Sequence, residues 1–160
     1  MKKSIYRLRW SLSAWQLKWL LNCWPPLWCT GIRVLSIRDD FCYARVQMSM
    51  RWYNRNFVGT HFGGSLYAMT DPFYMLMLVM IFGKDYYVWD QAAEIQFIKP
   101  AREKVTAEFE LTDEAIAEIK KQTENGEKTI VSFVVDVKTD KGETVSRVQK
   151  RVYVRLKKHD

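Results

Sequence analysis

From Ser65 to Phe82 the chain is almost continuously apolar and roughly long enough to cross a bilayer as one helix. Asp71 and Pro72 stand near its middle, and an ionisable group at that depth in lipid is costly. The stretch therefore reads as the central helix of a packed core. A helix apolar nearly all round must be covered on every side. One sheet covers part of it, so a further layer or a second subunit is expected over the rest. Residues 65–82 are read as one helix; proline disfavours helical geometry at the residue before it, so a break and restart at Asp71 is the alternative. Asp71 then has two readings. It caps the restarted helix, with Pro72 in the first turn, or it lines a pocket, since a lone buried charge is costly.

Strands surround this helix in sequence. Residues 31–38 read as a short strand closed at Asp39-Asp40. Cys42, Ala44, Val46, Met48 and Met50 then alternate with polar residues at the strand period. Irregular chain runs to Gly64, and Gly83 ends the apolar helix. Four further strands are predicted, over 86–98, 105–111, 131–137 and 148–156, the last interrupted on its apolar face by Lys150. Ile116 and Ile119 mark a short helix between Asp113 and Asn125, and Asp140 to Gly142 a tight hairpin turn. Antiparallel strands around one apolar helix make an α+β layer fold. At the start, Ile5, Leu8, Leu12, Trp15 and Trp19 recur three and four apart, which predicts an amphipathic helix over 4–23, ended by Trp24-Pro25-Pro26. A basic, tryptophan-rich helix of this kind can lie on a membrane; covering a sheet or a subunit interface is the expectation adopted.

The 160 residues fit one domain, with residues 1–24 as its N-terminal helix and 31–156 as its core. Apolar residues make up 48% and charged residues 27%, which excludes a disordered chain. The formal charge of +7 collects at the two ends, in Lys2, Lys3, Arg7, Arg9 and Lys18, and in Arg147, Lys150, Arg151, Arg155, Lys157 and Lys158. That balance suits an anionic partner, whether headgroup, nucleic acid or phosphate-bearing small molecule, or simply a soluble surface. Nucleic acid is not expected, because no motif supports it and the basic residues are not interleaved with a stacking platform. The three cysteines form no CxxC pair, and His61 and His159 are too few for a zinc set. No metal or cofactor is expected. The odd thiol count points to a reducing cytoplasm, and the interrupted N-terminus does not read as a signal peptide.

Chemistry concentrates between Asn56 and Pro72. Gly63-Gly64 stands at the entrance to the apolar helix, where glycine allows close backbone approach and the first amides lack internal partners. Such amides lie at the positive end of the helix dipole and suit a carbonyl oxygen or an oxyanion. Asp71 follows Gly63 by about two turns. Alternatives stand beside each residue. The glycines could serve tight helix–sheet packing, Asn56 could bond its own backbone, and His61 could be an ordinary loop histidine. Met69, Met75, Met77 and Met80 could be core filler or shape an adaptable tunnel.

Read as N-x-x-G-T-x-F-G-G-S-L-x-A-x-x-D-P, residues 56–72 resemble the signature of hotdog-fold acyl-CoA thioesterases, and most closely the phenylacetyl-CoA thioesterase type. Phe62 stands where that type carries His. The Trp24-Pro25-Pro26 opening and the strand Tyr87-Val88-Trp89-Asp90 are similar to a mainly bacterial hotdog branch described as a domain of unknown function, over roughly residues 15–156. The resemblance implies an antiparallel sheet wrapped around the central helix, and a homodimer or dimer of dimers acting on acyl-CoA or an acyl carrier. It places Asn56, Gly63, Gly64 and Asp71 on catalytic positions and Thr60, His61, Phe62 and Ser65 around the substrate. By that implication Gly63 or Gly64 polarises the thioester carbonyl, and Asp71, supplied across the dimer, attacks or deprotonates water. Asn56 orients the water or the carbonyl. With Phe62 in place of His, a non-catalytic acyl-CoA or lipid-binding module is the alternative.

Overall fold

The computed structural model describes residues 12–157. Helix α1 (Ala14–Cys23) starts at Ser13, whose extended backbone and reciprocal bonds with Gln16 form a capping box. The predicted helix over 4–23 is therefore corrected: it cannot run unbroken through Ser13, and residues 4–11 lie outside the described residues. The stripe is corrected too. Ala14, Leu17 and Leu21 face the core, while Trp15 and Trp19 point away from it. Small and aliphatic side chains let α1 lie close on the sheet, where the Asn22 amide brackets Val34 by accepting from its N–H (2.8 Å) and donating to its carbonyl (3.0 Å). A single turn, α2 (Pro25–Trp28), follows with Pro in its first positions and seats Leu27 in the core.

Strands β1 (Ile32–Ile37) and β2 (Tyr43–Met48) form the first hairpin. The central stretch is two helices, α3 (Gly63–Ala68) and α4 (Phe73–Phe82), separated at Met69–Pro72. The single helix read over 65–82 is therefore corrected to two: Pro72 has no N–H to continue the ladder and disfavours helical geometry at Asp71, so the alternative break is the one observed. Gly83, at positive φ, ends α4. Strands β3 (Tyr86–Phe97) and β4 (Val105–Glu110), helix α5 (Asp113–Thr123), and strands β5 (Lys128–Thr139) and β6 (Thr144–Leu156) complete the described residues. The six strands lie in the order β1-β2-β4-β5-β6-β3, and every neighbouring pair is antiparallel.

Gly63–Asp85 has the length and apolarity of a membrane span, yet its side chains are spent on the sheet. Phe73, Leu78 and Met69 are buried against Val105, Phe109, Val148 and Val152. Phe109 stacks on Phe73 at 4.8 Å and takes Tyr74 edge-on at 5.3 Å, while Tyr74 stacks on Phe133 at 4.4 Å. The sheet therefore curls around α4 as a hotdog fold. Its last strand, β3, is different in kind. No residue of β3 is fully buried, and Tyr87, Trp89 and Phe97 are exposed along an open sheet edge. Such an edge is a ready template for another chain.

Candidate active site

The break between α3 and α4 brings Asp71 to the end of a buried lysine. Lys150 occupies an inward position of β6, between Val148 and Val152, and none of its side chain is exposed. A buried ammonium requires partners. It has two, since its Nζ donates to Asp71 Oδ1 at 2.9 Å and lies 3.1 Å from Asp90 Oδ2. Asp90 reaches it from β3, opposite Val152, beside a bulge in the β3–β6 ladder. The Tyr67 ring on α3 stands under the amine at 5.6 Å.

The two carboxylates differ. Asp71 keeps 47% of its side chain open and Asp90 only 23%. Asp90 Oδ1 is buried without a partner, and burial pushes this carboxyl up, with Lys150 pulling it partly back. Burial also opposes the charge on Lys150, but the bonds and charges of Asp71 and then Asp90 outweigh it, so the amine's pKa stands above the usual lysine value. Burial and the neighbouring Asp71 raise the Tyr67 phenol. Asp71 makes no capping bond to α4, whose N-cap is Pro72. Among the described residues its one ion-pair partner is Lys150, and nearly half of its side chain remains open.

Other residues singled out in the sequence gather elsewhere in the same chain. Asn56, Thr60, His61, Gly63, Leu66 and Phe97 line a groove of about 400 Å³. Asp71 does not reach this groove from its own chain. The Phe97 ring lies so close to Gly63 that a Cβ there would stand 3.0 Å from it, and the Phe62 ring would meet a Cβ on Gly64 at 2.4 Å. Both glycines therefore admit aromatic rings against the first turn of α3, where Phe62 provides no side-chain cap. Phe62 itself is exposed, and Ser65 is a buried residue of α3.

Asn56 is occupied within its own loop. Its amide donates to Thr60 Oγ1 (2.8 Å) and the His61 carbonyl (3.3 Å), and its oxygen accepts from Val58 N (3.1 Å) and Thr60 N (3.0 Å). It shapes the groove wall. His61 is buried, with Nε2 2.8 Å from the Glu103 carbonyl and no partner on Nδ1, and burial lowers its pKa. That favours a neutral ring donating from Nε2. Asn54, not singled out in the sequence, braces the loop by bonding Thr30 O (3.0 Å), Ser49 O (2.9 Å) and Arg51 N (2.8 Å). Among the described residues no group of three or more His, Cys, Asp or Glu could hold a metal.

Lys150, Asp90 and Tyr67 are the members of the Asp71 cluster that sequence reasoning missed. The one signal was Lys150 itself, a charge on the otherwise apolar face of the last strand.

Residues 13–154 match the profile of a domain family, DUF4442, described as a domain of unknown function. The chain belongs to the DUF4442 family. No curated protein is significantly similar to it in sequence. This DUF4442 chain is similar in fold to a Pseudomonas aeruginosa protein of unknown function described as a probable thioesterase, with a TM-score of 0.82, 18% identity, and 91% of this chain and 97% of that one covered. It is also similar to a Haemophilus influenzae thioesterase, with a TM-score of 0.65, 15% identity, and coverage of 93% and 95%. The E. coli PaaI protein of the phenylacetic acid degradation operon matches at a TM-score of 0.61 and 15% identity, over 90% and 94% of the two chains. At these identities the DUF4442 chain shares the fold of these proteins.

Proposed function

We propose that the protein hydrolyses an acyl thioester, with fatty or aryl acyl-CoA as substrate, and does so as a homodimer. The observation that carries the proposal is a half-open carboxylate, Asp71, held by an amine with no exposed surface. Unlike surface ion pairs of the chain in which both partners are exposed, this one fixes Asp71 by a fully buried cation while nearly half of the carboxylate stays open.

In the proposed reaction the groove lined by Asn56, Thr60 and Gly63 receives the thioester carbonyl, with the first amides of α3 beside its oxygen. Asp71 enters from the second copy and takes a proton from water. The water oxygen forms a bond to the carbonyl carbon, the C–S bond breaks, and the proton returns to the leaving thiolate. Lys150 positions the carboxylate without meeting substrate. The open edge of β3, with Tyr87, Trp89 and Phe97 exposed, supports the homodimer, and kinship in fold with proteins named as thioesterases supports the reaction class.

The test is thiol release across a panel of acyl-CoA chain lengths, with Asp71→Asn alongside. Asp71→Asn is expected to lower release about 100-fold or more with the far-ultraviolet dichroism unchanged. A second reading, an acyl-CoA or lipid-binding module without turnover, is favoured by the exposed Phe62 where the resembled type has His. Tight binding of acyl-CoA with no thiol release, unaltered by Asp71→Asn, would establish that reading instead.

A further inference from the structure

Five of the seven tryptophans lie within the first 38 residues, and so does the whole of the net charge. That segment holds seven Lys and Arg and no Asp or Glu. The 25 basic residues of the chain less these seven leave 18, against 18 acidic residues, so positions 39–160 are neutral in sum. This segment thus combines most of the tryptophans with basic residues that no acidic residue within it offsets, whereas the basic C-terminal end is balanced by the acidic residues of 39–160.

From residue 12 onward, the fold turns the tryptophans of this segment outward. With Ala14, Leu17 and Leu21 in the core, α1 presents Trp15 and Trp19 to solvent at 66% and 55% exposure, and Trp28 on α2 is 64% exposed. These rings border a groove of about 820 Å³ that also takes in Lys18, Arg33 and Arg51 and includes no acidic side chain. Trp52, at 86% exposure, packs edge-on against Tyr53 of the same groove (5.5 Å), and Leu20 is exposed on α1. The surface lies at the β1 edge of the sheet, five strands away from the open edge of β3.

From this surface we infer a docking site for an anionic lipid bilayer. Tryptophan has a large apolar ring with one N–H donor, which suits the boundary between acyl chains and headgroups. Lysine and arginine beside it attract anionic lipid within a Debye length. A second copy fits less well, because a two-fold contact would set Lys18, Arg33 and Arg51 against a like-charged surface. Nucleic acid fits less well because Trp15 and Trp19 meet edge-on, at 63°, and leave no pair of parallel faces for bases. The inference is independent of the proposed catalytic reaction.

Co-sedimentation of the full chain with vesicles tests it, using phosphatidylcholine alone and phosphatidylcholine with about 30% phosphatidylglycerol. The protein is expected to pellet with the anionic vesicles, with a blue shift of its tryptophan emission, and to be released by high salt. The double variants Trp15→Ser/Trp19→Ser and Lys18→Glu/Arg33→Glu should each lower the bound fraction about tenfold or more, with thermal unfolding and thiol release in free solution unchanged. No partition into anionic vesicles overturns the inference, as does equal binding to neutral ones. A tryptophan variant that changes the oligomeric state in gel filtration assigns the surface to a second copy. Retention of duplex DNA without vesicle binding assigns it to nucleic acid.

Discussion

Replacing Lys150 by Met removes the ammonium while keeping an unbranched side chain, so little cavity is left in the sheet. Two carboxylates lose their shared cation. Asp90 suffers most, since its Oδ1 already lacks a partner and Oδ2 would lose Lys150 at 3.1 Å. Breaking a buried pair by removing one partner costs about 3–5 kcal/mol. Asp71 and Asp90 retain 47% and 23% of their side-chain exposure, so water compensates part of the loss, and about 2–4 kcal/mol is the expected cost. With a urea dependence of about 2 kcal/mol per molar, the midpoint of unfolding falls by about 1–2 M. Asp71→Asn leaves the buried ammonium its second carboxylate, Asp90, and keeps an acceptor oxygen, so it should cost less than Lys150→Met, about 1–2 kcal/mol. Lys150→Met/Asp90→Asn should recover much of the loss, because no buried charge remains unpaired.

The sign of the pH dependence follows from Asp90. Burial raises its carboxyl in the folded protein and Lys150 opposes that rise, so in Lys150→Met it rises further. A carboxyl whose folded pKa exceeds its unfolded value takes up a proton on folding as pH falls, which adds stability. The deficit of Lys150→Met relative to the parent protein should therefore narrow between about pH 7 and pH 4. Urea titrations at several pH values read both effects. A Lys150→Met protein within about 0.5 kcal/mol of the parent, or a deficit that widens on acidification, would refute the buried-cation account.

Asn56→Ala removes four hydrogen bonds from the groove loop and should lower stability by about 1–3 kcal/mol in thermal unfolding. Asn56→Asp, which keeps the two acceptor bonds, should lose less. His61 has a folded pKa below its ordinary 6.5 because it is buried, so the unfolded chain binds the proton first. Its contribution is present above about pH 6.5 and is lost as pH falls. Urea midpoints at about pH 7.5 and 5.5 should differ more in the parent protein than in His61→Gln, and equal differences would contradict this.

Much of the fold was legible because strand alternation and turn chemistry are local. Val105, Ala107 and Phe109 alternate with polar residues and form β4 facing α4. Pro72 signalled the alternative of a break in the central helix, since its missing N–H acts wherever the chain goes. β6 begins earlier than predicted, at Thr144, because the polar Ser146 continues the inward register of Val148 and Lys150 toward the hairpin. The stripe on α1 was misjudged for a different reason. Tryptophan counts as apolar in any periodic reading, but contact with β1 selected the smaller Ala14 and the two leucines.

By itself the sequence determined the elements, the greasy helix that the sheet must enclose, and the glycine pair with an acidic residue two turns on, since each depends on near neighbours along the chain. Tertiary structure alone decided what Asp71 touches. Its partner amine stands 79 positions away and the second carboxylate arrives from another strand; no local pattern records a charge pair that exists only once the sheet has closed over the helix. For the same reason Lys150 looked like a flaw in an apolar strand until its two acidic partners were in place.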